Sequence, residues 1–453
     1  MSRHSPITLL LQVAVTIAGT GTLSASAAEL ALRLHGSNTI GEKLAPQLVE
    51  AWALERGWKG GQWTKLAAEE HQRQFLRGAD TLEVEIKAHG TGTGLAGLIS
   101  GDADLWMASR PVKAAEVLEA GILGRLDTPE QEHVLALDGL ALIVHASNPV
   151  RQLTVAQIKD VFAGKIDDWS DLGRTAGAIS LYARDDKSGT FDSFKSLVMG
   201  NEALRADAHR FESTSALSRA VAGDRNAIGF VGVAGVGSAR ALALSDAGTR
   251  ALPPARFSVA TEDYALSRRL FLYCAAKSSD VARDFVEFAH SASGQAIVEQ
   301  VGFVAQSIAP IALPSRRDAG EEYAALTSAA KRLTVNFRFA TGASYLDGKA
   351  LRDLDRLADF MRSVGASGGD LVLIGFSDAN EVNAYQALAM SVDRADYVAE
   401  QLLRRGVAPR QVRGAGQVAP VASNDSDSGR ARNRRVEVWI RSRVGPVASA
   451  ASF

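Results

Sequence analysis

The chain of 453 residues has one cysteine, Cys274, so no internal disulfide can form. Cys274 ends the apolar run Leu270-Phe271-Leu272-Tyr273-Cys274, where a buried strand residue is expected. An excess of either charge is also missing. Lys and Arg number 50, Asp and Glu 51, and the net charge is −1. Without a basic field, nucleic acid is not an expected partner. Beyond the first residues no long apolar run occurs, so no transmembrane span is expected. The eight histidines are scattered, and no group of His, Cys and carboxylates has metal-ligand spacing. No cofactor is expected. None of the histidines shares a short motif with a nucleophile, so a binding protein is expected rather than an enzyme.

What is present is the composition of a globular protein, 46% hydrophobic, long enough for two or three domains. Arg3 and His4 precede an apolar run over 7–18, and Ala25-Ser26-Ala27 has the small-x-small form of a cleavage site. Residues 1–27 read as a secretory signal peptide. No cysteine adjoins that site, which argues against a lipid anchor. Export without disulfides fits a bacterial periplasm.

The stretch Arg184-Asp185-Asp186-Lys187-Ser188-Gly189-Thr190 lies between an apolar strand pattern, 178–182, and a helical one carried by Phe191, Phe194, Leu197 and Val198. The first N–H groups of a helix lack intrahelical partners, and the helix dipole attracts an anion there. Ser188 and Thr190 add hydroxyls, and Arg184 adds a forked, permanent charge. An ordinary capped helix with a surface arginine explains these residues about as well. Two further junctions have the same character. Strand 30–35 runs into Gly36-Ser37-Asn38-Thr39, and strand 82–87 into Gly90-Thr91-Gly92-Thr93-Gly94. A third short strand, 104–108, ends at Ser109-Arg110-Pro111. In open α/β sheets, ligands bind at such carboxyl ends of strands. The remaining pattern of this part predicts a crossing strand over 135–144, a helix over 153–162, a strand over 226–232, a return strand over 268–275 and one long helix over 280–301.

In this order the motifs resemble those of the periplasmic phosphate-binding proteins of phosphate ABC transporters. Asn226-Ala227-Ile228-Gly229-Phe230, Gly294-Gln295 and Gly302-Phe303-Val304 extend the likeness. The resemblance implies a two-lobed type II periplasmic-binding-protein fold over 28–314. It implies inorganic phosphate in the cleft, held by Asn38, Thr39, Thr91, Ser109, Arg184, Ser188, Gly189 and Thr190, and delivery to a transporter permease. Several family members carry an aspartate that accepts the phosphate proton, and the matching position here is Ser109. Asp186 or Asp185 is then expected to supply the acceptor that separates protonated phosphate from sulfate.

Residues 315–332 are polar at their start and read as a linker. The pattern then restarts as β-α-β-α-β over 333–443, an α+β module, with 444–453 as a flexible tail. Its motifs resemble the OmpA-like peptidoglycan-binding domain: Phe339-Ala340-x-Gly342-Ala343-x-Tyr345-Leu346, Gly375-Phe376-Ser377-Asp378, Ser391-x-x-Arg394-Ala395, and Gly429-Arg430-x-x-Asn433-Arg434-Arg435-Val436-Glu437. The resemblance implies that Asp378 and Arg394 grip diaminopimelate of the peptidoglycan stem peptide. A carboxylate would meet its ammonium and a guanidinium its carboxylate. Arg430, Asn433 and Arg435 are expected to support that ligand. Phe376-Ser377 and Gln386 depart from the family pattern. Read without the resemblance, Asp378 and Arg394 are a surface ion pair, and Arg430, Arg434 and Arg435 a solvated face. The whole is then an exported protein, attached to the cell wall and placed at the inner face of the outer membrane. Two alternatives remain at this point. One is a structural wall protein whose first module has no ligand. The other is a phosphatase-like use of Ser188 with Asp185 or Asp186 as base.

Overall fold

The structure is a computed structural model. It describes residues 1, 28–67, 69–173, 176–186, 188–246, 248–314, 316, 319–339, 346–365, 371–379 and 383–441. Residues 2–27 of the expected signal peptide, the tail, Lys187, and Ala340, Gly342, Ala343 and Tyr345 of the first motif of the second module lie outside these residues.

A 12-stranded sheet runs through the first module and belongs to two lobes. In lobe one, strand Glu29–Gly36 lies parallel between Asp80–Lys87 and Leu105–Ala108. Helices Leu44–Glu55, Asp280–His290 and Ala292–Val301 cover this sheet. Its core holds Leu32, Leu34, Leu48, Trp52, Val84 and Phe285. In lobe two, strand Ser180–Arg184 lies parallel between His209–Phe211 and Ala227–Gly232, over a core with Phe162, Phe194 and Phe230. Two strands cross between the lobes. Glu132–Val144 gives Leu135 and Ala136 to the first core, and Leu137, Leu140 and Leu142 to the second. Ser267–Cys274 pairs with it antiparallel. The segment at Val304 and Ala305 crosses as well, bonded to Leu137 through Val304.

Helical periodicity over 280–301 predicts one helix, and the structure has two. Ser291 leaves helical geometry at ψ 167°, and its Oγ caps the second helix by accepting from Gly294 N. The second helix folds so tightly over the first that a Cβ on Gly294 would lie 2.2 Å from Phe288 O. Only glycine permits this turn.

The second module has a five-stranded sheet in the order Pro310–Ile311, Ala330–Arg338, Arg435–Arg441, Leu371–Gly375, Gln411–Gly414. Helices Gly348–Ser363 and Ala384–Leu403 cover one face through Leu354, Leu357, Ala395 and Val398. The expected linker at 315–332 needs correction. It contains the helix Glu321–Thr327, which covers the opposite sheet face with Tyr323 and Leu326 against Phe376 and Trp439. The polar start of this stretch hid the Tyr323/Leu326 spacing that puts both residues on one helix face. The first edge strand, Pro310–Ile311, also falls before the expected boundary.

Candidate functional site between the lobes and at the end of the second sheet

The three junctions lie together where the lobes meet. In lobe one, Ser37 Oγ and Ser109 Oγ are 2.6 Å apart, and Thr91 Oγ1 accepts from Ser109 N at 3.1 Å. Asn38 and Thr39 open the short helix Asn38–Gly41 beside them. In lobe two, Ser188 caps the helix Gly189–Phe194, its Oγ accepting from Thr190 N at 3.2 Å. That hydroxyl keeps its O–H for donation. Phe194, stacked on Phe230 at 3.9 Å between ring centroids, anchors this helix in the core.

The two lobes meet here. A Cβ on Gly189 would stand 2.1 Å from Thr39 Oγ1, so the backbone of the lobe-two junction rests directly on lobe one. Arg268 spans the contact. Its Nη2 donates to Thr39 Oγ1 at 3.0 Å and to Gly189 O at 3.4 Å, and Asp138 Oδ2 holds it at 2.9 Å. Arg268 and Asp138 are opposite each other on the two crossing strands, their side chains 9% and 10% exposed. Sequence reading missed this pair. The only signal was two successive arginines, Arg268 and Arg269, opening a strand that is otherwise apolar.

Two expected contacts are placed differently. Arg184 is buried, and each of its three nitrogens donates within lobe two: Nε to Phe211 O at 3.2 Å, Nη2 to Glu212 O at 2.7 Å, Nη1 to Thr214 Oγ1. It lines one side of an inter-lobe cleft of about 640 Å³ with Lys43, Ser213, Ser215 and Arg219. The charged donor that touches Thr39 and Gly189 O is Arg268. Asp186 is exposed and paired with Arg210 at the surface, because its strand has ended and its side chain leaves the cleft. The buried carboxylate beside the junction is Asp138. Asp192, on the same short helix, is pushed upward in pKa, chiefly by burial, against the pull of Arg268 and Lys195. Among the described residues, Ser188 Oγ has no hydrogen bond to an imidazole or carboxylate, and no group of His, Cys, Asp and Glu could hold a metal ion. No helix among them is long and apolar enough to cross a membrane.

In the second module Asp378 follows the strand Leu371–Gly375, and Arg394 projects from the helix Ala384–Leu403 toward the same sheet end. Arg394 Nη1 donates to Phe376 O at 3.2 Å and to Ser377 Oγ at 3.4 Å. Asp378 accepts from Arg434 Nη1 at 2.8 Å. Asp378, Arg394 and Arg434 are 1%, 2% and 4% exposed, so this is a buried charge group rather than a surface pair. Arg434, read from sequence only as part of a basic face, is a partner of Asp378. Three expected supporters sit elsewhere. Asn433 staples its own loop, accepting from Val421 N and Ala422 N. Arg435 alternates to the opposite sheet face, where it pairs with Glu437 and stacks 3.9 Å over Phe376. Arg430 pairs with Asp427 one turn away and with Asn424 O. The Phe376 departure thereby acquires a role as the apolar floor for Arg435.

The chain matches the PBP superfamily domain over residues 60–293 and the OmpA family over 338–434. Protein SphX of Synechococcus elongatus is 30% identical over 247 residues, covering 51% of this chain and 71% of the relative. The phosphate-binding protein PstS of Staphylococcus epidermidis is 29% identical over 226 residues, covering 48% and 68%. Among solved structures, an ABC-type phosphate transport receptor from Vibrio cholerae aligns at a TM-score of 0.48 and 23% identity, over 60% of this chain and 99% of that one. The cell wall anchor of the T6SS from Pseudomonas aeruginosa aligns at a TM-score of 0.21 and 30% identity, over 25% and 82%. The chain belongs to the PBP superfamily, and an OmpA family domain follows its two-lobed module.

Proposed function

We propose that this protein captures inorganic phosphate between its lobes and is held on peptidoglycan by its second module. The observation that carries the reading is the meeting of two hydroxyl-rich junctions at Thr39 and Gly189, bridged by Arg268. Relatives named as phosphate-binding proteins support the choice of anion. Thr39, Thr91, Ser109, Ser188 and Thr190 would donate hydroxyls, with the helix Gly189–Phe194 directing N–H groups at the same point. Asn38 would add its amide, and Arg268 the charge. Asp138, not Asp185 or Asp186, would accept the proton that sulfate lacks. Arg184 would hold the 211–214 loop that closes one side of the cleft. The role is transport rather than catalysis: the bound anion passes to an ABC permease in the inner membrane.

In the second module, Asp378 and Arg394 would take the ammonium and carboxylate of diaminopimelate, with Arg434 holding Asp378 in place. This puts the protein in the periplasm, on the wall, at the inner face of the outer membrane. Calorimetric titration of the intact chain with phosphate, sulfate and arsenate tests the first module. Phosphate should bind and sulfate should not, and the discrimination should fall in Asp138→Asn. Absence of phosphate binding would remove the proposal. Sedimentation with diaminopimelate-type peptidoglycan tests the second module. Binding by Asp378→Ala and Arg394→Ala equal to the parent would assign both residues to structure alone.

A further inference from the structure

The second module does not hang free of the first. Its helix Gly348–Ser363 lies across the place where the chain crosses between lobes. Arg352 donates to Pro129 O at 2.5 Å, Glu132 O at 3.0 Å and His133 Nδ1 at 2.8 Å, all on the lobe-one side. Arg356 donates to Gln306 Oε1 at 3.1 Å. Gln306 in turn donates to the carbonyls of Val134 and Leu135, on the crossing strand itself. On the lobe-two side, Asn336 Nδ2 reaches Asp263 Oδ1 at 3.0 Å, and Arg432 pairs with Asp246. One rigid module thus touches both lobes and the hinge.

The crossing strand Ser267–Cys274 links this docking face to the anion junction. Successive side chains of a strand point to opposite faces. Arg268 reaches Thr39 and Gly189, where the lobes meet. Arg269, its neighbour, reaches Glu262 at 2.6 Å and, at 2.6 Å, Asp347, the N-cap of the docked helix. The same two residues of strand therefore carry the inter-lobe contact on one face and the module contact on the other.

We propose that the second module is a clamp: docked across the hinge, it holds the lobes in the closed arrangement, and anion exchange requires its loosening. A lobe rotation that separates Thr39 from Gly189 moves the lobe-one and lobe-two docking residues apart. A rigid module bonded to both sets resists that motion, so docking and closure stabilise one another reciprocally. Tethering to the wall then acts on the same body that gates the anion.

The test uses the intact chain in two opposed forms. Arg352→Ala combined with Arg432→Ala removes one contact on each side. Pro129→Cys combined with Gly348→Cys, in a Cys274→Ser background, fixes the docked state. A Cβ on Gly348 would lie 3.4 Å from Pro129 Cβ, close to disulfide geometry of about 3.8 Å. Hydrogen exchange of the Thr39 and Gly189 segments, without phosphate, reads closure directly. Protection should fall about tenfold or more in the loosened form and rise on oxidation of the cross-linked form. Equal protection in the parent, loosened, oxidised and reduced proteins would overturn the clamp. Should the loosened form unfold, the oxidised and reduced forms alone decide. A stopped-flow arm rests on the phosphate reading: release should be slower in the oxidised form than in the reduced. Protection that changes as expected in a protein that binds no phosphate would uphold the clamp and refute that reading.

Discussion

Gly189→Ala separates local helix propensity from the contact between lobes. Gly189 opens the helix Gly189–Phe194 with an ordinary helical backbone, where alanine is favoured by up to about 1 kcal/mol over glycine in a helix interior. The added methyl would lie 2.1 Å from Thr39 Oγ1, 2.9 Å from Thr39 N and 3.1 Å from Thr39 Cβ. Comfortable contact needs about 3.5 Å, so the deficit against Oγ1 is roughly 1.4 Å. Rotating the Thr39 side chain removes only the first of these clashes, because the amide nitrogen belongs to the backbone. The lobes must therefore part at this point. Parting them breaks the hydrogen bond from Arg268 to Thr39, a charged donor on a hydroxyl, worth about 1.5–3 kcal/mol. Phosphate affinity should fall roughly ten- to hundredfold, since each 1.4 kcal/mol is about a factor of ten. The thermal midpoint of the anion-free protein should fall by no more than a few degrees, because the helix propensity of alanine offsets part of that loss. Calorimetry with a parallel thermal melt measures both. A dissociation constant within twofold of the parent, in a protein of unchanged melting, would refute the inference that closure at Thr39 supports binding.

Three further outcomes are expected. Asp378→Ala leaves Arg434 buried without its carboxylate and should cost about 3–5 kcal/mol in urea unfolding, whereas Arg430→Ala, which removes a partly exposed i,i+3 pair, should cost under about 1 kcal/mol; equal losses would count against the buried group. Burial first, and Arg352 second, lower the pKa of His133 from 6.5 to about 3, and His290 faces it with its ring 5.8 Å away. The folded chain then binds fewer protons than the unfolded one between those values. Stability from the docking face should be complete above pH 6.5 and decline as pH falls toward 3, by up to about 1.4 kcal/mol per pH unit for this one group; a stability profile flat between pH 7 and 5 would contradict the assignment. Arg352 donates to His133 Nδ1, which leaves Nε2–H to face Cys274 Sγ at 3.4 Å as a donor, and burial raises the thiol pKa. Cys274 should resist alkylation in the parent and react faster in Arg352→Ala, a difference readable by mass spectrometry; rapid labelling of the parent would show an open docking face.

Much of this protein follows from local sequence alone. Alternation in 30–35 and 82–87, where residues two apart share a face, and the short apolar run 371–376 mark strands whatever lies beyond them. The junctions at Gly36, Gly90 and Ser188 stand out by residue type, since hydroxyls and free helix N–H groups are local features, but at Ser188 an ordinary capped helix has the same local signature. The two-module order is equally local, written in motifs that each close within a few residues. What needed the tertiary structure is every pairing across long separations. Arg268 and Asp138 are 130 residues apart, Asp378 and Arg434 56 apart, and nothing in either neighbourhood names the other. The destinations of Arg184 and Arg435 were equally hidden, because an arginine on a strand can serve a ligand, a carbonyl or an ion pair with the same chemistry. The docking of the second module across the hinge is the extreme case. Nothing near Arg352, Arg356 or Arg432 in the chain marks them as interface residues, and only burial against both lobes makes them so, because the cost of desolvating a charge is fixed by what packs around it and not by its neighbours in the chain.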